Sequence, residues 1–154
     1  MGNSTNDEAG LAARVRLFVF QHFVNAGSAP SRAQVAEQMG LSQEEVDGAF
    51  ERLAEGKALV LQPASGEVLM AEPFSAVPTA FEVEVGDRSW WGNCIWDALG
   101  IPAALGRDGR VRTSCGDSGQ AMELEVRDGE LLPAEGVVHY AVPARRWWED
   151  VVFA

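Results

Sequence analysis

Along the first third of the chain apolar residues recur every three to four positions. Towards its end the period shortens to two. Leu11, Val15, Phe18, Val19 and Phe23, with Arg14, Arg16 and Gln21 between them, give helical spacing from Leu11 to Ala26, stopped by Gly27. In "PSRAQVAEQMG", Ser31 is placed to cap a short helix that Gly40 ends. Ser42 and Glu45 have the spacing of a capping box, and the helix they open carries Val46, Phe50 and Leu53 on one face. Two strand-like runs follow, "KALVLQ" and "EVLMAE", joined by the turn "PASG". Three helices and a hairpin predict a winged-helix-like domain over 11–72, preceded by a disordered polar start, 1–10.

The segment "PFSAVPTA", 73–80, has two prolines and neither period, and reads as a linker or lid. Beyond it come "FEVEV", "RVRTS", "QAMELEV" and "VVHYAV", four short strands separated by turns such as "GRDGR" and "RDGE". Residues 93–100 suit a short helix capped by Asn93 and closed by Gly100 and Pro102, and "PARRWWEDVVF" begins a last helical piece at Pro143. The fold class is α+β: the helical domain packed on a mixed or antiparallel sheet domain over 81–154.

With 154 residues, 47% of them hydrophobic, the chain has enough apolar material for a full core. No apolar run approaches the roughly 20 residues that cross a bilayer. The longest, "LFVFQHFV", is interrupted by Gln21 and His22, and the latter reads as a packing or surface residue. The acidic beginning lacks the basic region of a signal peptide, and "MGNSTN" has Asn6 where a myristoylation signal needs Ser or Thr. Two widely separated cysteines without an export signal predict reduced thiols and a cytoplasmic location. A net charge of -11 disfavours nucleic acid and anionic membrane surfaces as partners. The third helix repeats the argument locally, with Glu44, Glu45, Asp47, Glu51 and Glu55 against Arg52 and Lys57. Two histidines and two cysteines, scattered, form no tetrahedral zinc spacing, and the glycines serve turns.

The chemistry concentrates in "SWWGNCIWDALGIP". On a helix Cys94 and Asp97 stand at i and i+3, about 5–6 Å apart at Cβ. A thiol in a first turn is drawn towards thiolate, whereas dry surroundings from Trp90, Trp91 and Trp96 raise a carboxyl pKa and keep a proton on Asp97. Cysteine as a small core residue and aspartate as partner to the helix dipole are the plainer uses of this spacing. His139, on an alternating strand, either faces the site or is satisfied within the sheet. "RRWWED" balances its arginines with acids and reads as helix packing with a tryptophan core.

"MAEPFSAVPTAFEV", "WWGNCIWDALGIPAALG", "CGDSG" and "VVHYAVPARRWWEDVVF", in that order, resemble the organomercurial (alkylmercury) lyases and their shorter actinobacterial-type relatives. The resemblance extends from about Leu11 onward, since that family also has an N-terminal winged-helix-like domain. It implies protonolysis of carbon–mercury bonds, with Cys94 as the thiolate that binds mercury transiently and Asp97 as proton donor. It implies no organic cofactor, an organomercurial or another soft electrophile as small-molecule partner, and cellular thiols that remove the product. The second catalytic cysteine of typical members falls in or just after the segment matching "WWEDVVF". Here the sequence ends at Ala154 without one, so either it is cut short or the protein lacks that thiol. In "CGDSG", Ser118 stands where the shorter members have a second cysteine. Cys115 is the remaining sulfur, and its family counterpart implies a supporting role. Other readings are a protein of the same fold that sequesters a soft metal or organometal without turnover, one recruited to unrelated chemistry with Cys94 as nucleophile, and regulation through the winged helix.

Overall fold

The computed structural model describes residues 3–133, 135–140 and 142–149. Three helices come first: α1 (Asn3–Ala26), α2 (Arg32–Met39) and α3 (Gln43–Glu55). The disordered start predicted over 1–10 is thus corrected, because α1 already begins at Asn3. The Ser31 and Ser42 caps form as predicted. Each hydroxyl accepts from the amide three residues on, and Gln34 and Glu45 reach back to the cap amides. Val35, Val46, Phe50 and Leu53 turn inward against Val15 and Val19 of α1.

The strands are β1 (Val60–Leu61), β2 (Val68–Ala71), β3 (Phe74–Ser75), β4 (Glu82–Val85), β5 (Arg88–Gly92), β6 (Gly109–Ser114), β7 (Ala121–Arg127) and β8 (Glu130–Leu132). They form one antiparallel sheet in the order β1-β2-β3-β5-β4-β6-β7-β8. Helix α4 (Ile95–Leu105) crosses from β5 to β6, and a short 3-10 helix, Ala144–Glu149, follows later. The alternation in β6 and β7 has the expected cause. Val111, Leu124 and Val126 face the core, and Arg110 and Arg112 pair with Glu84, Glu123 and Glu125 on the exposed side.

Several sequence expectations need correction here. The 73–80 segment is not simply a linker: Phe74 and Ser75 form β3, which pairs with β2 on one side and β5 on the other. Hydrogen bonding therefore continues from the helical region's hairpin into the larger sheet. "VVHYAV" is not a strand over 137–140, for the sheet ends at β8. The tryptophans of "RRWWED" are not core either. Trp148 is 42% exposed with the Lys57 ammonium over its ring, and residues 150–154 of that predicted helix lie outside the described residues.

One apolar core joins helices and sheet. Phe23 of α1 stacks on Phe74 at 5.2 Å and 11°, with Trp90 of β5 beside it. The Trp90 indole donates to the Phe23 carbonyl at 2.7 Å, which gives the buried indole N–H a partner on an acceptor that also takes the Gly27 amide. Arg88 donates to the next carbonyl, that of Val24. Two contacts thus fasten the end of α1 to β5, the strand that leads into the site. Among the described residues no helix is long and apolar enough to cross a membrane.

Candidate functional site

The route from β5 into α4 is tightly built. Gly92, the last residue of β5, is buried, and a Cβ there would lie 2.8 Å from the Ala98 backbone. Only a residue without a side chain lets α4 approach this closely. Its carbonyl accepts from the Thr79 hydroxyl at 2.7 Å, and its amide donates to the Phe81 carbonyl. The 73–80 segment therefore clamps the strand end that precedes Asn93.

The cap of α4 is Cys94, in extended conformation, and not Asn93 as the sequence suggested. Counting from it, Asp97 occupies the third helical position, where a capping box places its acid. The helix also passes over Pro102 and ends at Gly106 in the left-handed region, beyond the predicted stop at Gly100 and Pro102. Proline removes one late intrahelical bond, but its buried ring packs where Gly109 has no side chain.

Cys94 and Asp97 are both half-buried and share the mouth of this turn. Burial pushes the Asp97 carboxyl up. The Asn93 amide, which donates to Oδ2 at 3.1 Å, opposes that shift, the Glu72 carboxylate reinforces it, and the Cys94 side chain opposes it. Burial also pushes the Cys94 thiol up. The amides of Asp97 and Trp96 counter this without closing a capping hydrogen bond, and the Asp97 charge adds to the rise. The expected thiolate bias of a first-turn cysteine is thereby outweighed, since loss of hydration costs the anion more than the helix start returns. Trp90 is buried and Trp91 half-buried, whereas Trp96 is 71% exposed and dries nothing.

The site also holds a residue that sequence reasoning passed over. The Tyr140 hydroxyl faces the Cys94 sulfur, and its pKa rises through burial and then through the nearby charges of Cys94 and Asp97. Its ring packs on Trp147 at 5.0 Å, and the Trp147 indole donates to the Val142 carbonyl at 3.0 Å. The strand-like alternation of "VVHYAV" points to His139 instead.

His139 and Cys115 lie elsewhere together, on the wall of a cavity of about 700 Å³ that Ile95, Leu99, Phe81 and Leu124 also line. The four predicted site residues thus separate into two pairs, since Cys94 and Asp97 do not line this cavity. The Cys115 thiol is pushed down by the Ser118 hydroxyl and by the amides of Ser118 and Asp117. The turn that arranges this is closed by Gly119 donating to the Cys115 carbonyl at 2.8 Å. Among the described residues no three His, Cys, Asp or Glu side chains gather as a metal site.

This geometry sets a sulfur that suits a soft electrophile beside a carboxyl that burial pushes towards its protonated form. A family model described as alkylmercury lyase (MerB) matches residues 74–154, more than half of the chain. A solved structure described as the mercury-bound form of MerB2 is similar in fold, with a TM-score of 0.64 at 23% identity. The likeness covers 78% of this chain and 57% of that one, so this chain spans little more than half of the other's length. No curated protein matches the sequence.

Proposed function

The chain belongs to the alkylmercury lyase family, and from that premise we propose that it cleaves carbon–mercury bonds by protonolysis, Cys94 capturing the metal and Asp97 delivering the proton. The observation that carries this reading is the placement of Asp97, half-buried and pushed towards its neutral form, on the same helical turn as Cys94.

The Cys94 thiol gives up its proton to solvent as sulfur takes the mercury of an R–Hg cation, a pairing of soft partners. The O–H bond of Asp97 then breaks, and the electron pair of the carbon–mercury bond takes that proton to form R–H. Asp97 is left as carboxylate and Hg(II) stays on sulfur. Free thiols of the cytoplasm exchange onto the metal and restore Cys94. The winged-helix-like N-terminal part acts here as a buttress, holding β5 through Trp90 and Arg88.

Incubation with phenylmercury and excess thiol tests the proposal, and release of benzene over many turnovers is expected. A second reading, capture of soft electrophiles without turnover, is favoured by Cys115, whose thiol is pushed towards thiolate on the wall of an apolar cavity. Stoichiometric mercury retention with no benzene would establish that reading instead.

A further inference from the structure

Asn93 enters neither the capping of α4 nor the mechanism above, yet its carboxamide lies against the reacting acid. Its nitrogen donates to Asp97 Oδ2 at 3.1 Å. Its oxygen is buried and, among the described residues, accepts no hydrogen bond. Buried amide oxygens without a donor are rare, and an amide presents a donor and an acceptor that exchange places when it turns over. Beside a carboxyl that must alternate between acid and anion, such a group matches both states. The nitrogen serves the carboxylate, and the oxygen accepts from the protonated acid.

We infer that Asn93 is a positioning residue that holds the Asp97 carboxyl against Cys94 through both halves of the proton-transfer cycle. The other groups facing this carboxyl do not supply that pairing. Glu72, from the turn between β2 and β3, offers no N–H donor, the Cys94 sulfur is taken up by the mercury once substrate is captured, and the Tyr140 hydroxyl lies towards that sulfur. When the Asp97 O–H bond breaks and the C–H bond forms, the amide turns over and its N–H meets the new carboxylate, the arrangement seen in the structure. Solvent then returns a proton to Asp97, and the amide oxygen accepts from it.

This inference rests on the proposed protonolysis, and its test separates the two. In Asn93→Leu, and in Asn93→Ser should the leucine variant not fold, organomercurial capture at Cys94 is expected at wild-type stoichiometry and affinity. Single-turnover release of hydrocarbon slows on the order of 100-fold, the scale of a misplaced catalytic group. Release at the wild-type rate in a folded variant overturns the inference. Infrared difference spectra against Asp97→Asn isolate the Asp97 carboxyl band without any substrate. A shift of that band in the Asn93 variant is expected, and an unmoved band overturns the inference even if the wild-type protein releases no hydrocarbon and the proposed function fails.

Discussion

Replacing Gly92 by alanine adds one methyl group at the junction on which the whole site turns. Its Cβ would lie 2.8 Å from both the Ala98 nitrogen and Cα, and 2.9 Å from the Ala98 methyl, about 1 Å inside ordinary carbon contact. The atoms it meets are mostly backbone of α4, so relief requires the helix to move and cannot come from a side chain swinging away. Overpacking of this kind costs about 1–3 kcal/mol. The displacement falls on the turn that begins with Cys94 and places Asp97, where an error of about 1 Å costs on the order of 100-fold in rate. Gly100, on the same helix, has nothing within 4 Å of a built Cβ. Gly100→Ala is therefore the control, with a gain of about 0.5–1 kcal/mol from helix propensity. Urea unfolding gives both stabilities, and phenylmercury cleavage gives both rates. A Gly92→Ala protein with wild-type stability and wild-type turnover would refute the close-packing argument for this junction.

Other consequences can be checked independently. Because the folded pKa of Asp97 lies above its unfolded value, ionising it opposes folding. Stability falls as pH rises from the unfolded pKa, near 4, through the raised folded one, and Asp97→Asn should flatten that decline in urea midpoints measured across the window. In Trp90→Phe the indole donor to the Phe23 carbonyl is lost while the Gly27 amide still serves that acceptor, and urea unfolding should register about 0.5–1.5 kcal/mol for the missing hydrogen bond. Iodoacetamide at neutral pH, followed by mass spectrometry, should modify Cys115 before Cys94, because the first thiol is pushed down and the second up. The opposite order would contradict the assignment of burial as the dominant influence on Cys94.

What was readable in the sequence was local. Ser31 and Ser42 announce α2 and α3 because each cap is settled within four residues. The alternation of "RVRTS" and "MELEV" survives because one face of those strands meets the core and the other meets charge. Strand β5 was missed because "RSWWG" shows no clean alternation, its exposed residues leading into a buried Trp90 and Gly92. β3 is only two residues long and takes its shape from β2 and β5 on either side. Conversely, "VVHYAV" alternates like a strand, but no partner strand pairs with it among the described residues. The candidate site divides in the same way. Cys94 and Asp97 could be paired from helical spacing, whereas Asn93 and Tyr140 gain their meaning from where the folded chain brings an amide and a hydroxyl. The direction of the Cys94 shift also depended on burial, which its neighbours Trp90 and Trp96 share so unequally.

The central claim is that Asp97 supplies the proton to a carbon whose mercury is held by Cys94. Phenylmercury loaded stoichiometrically onto wild-type, Asp97→Asn and Cys94→Ser proteins, with benzene followed through a single turnover, tests it most directly. Wild-type protein should release benzene, and Asp97→Asn should keep its bound phenylmercury and release benzene at least about 100-fold more slowly. Cys94→Ser should fail to retain the organomercurial. Benzene formed by Asp97→Asn at the wild-type rate would contradict the account.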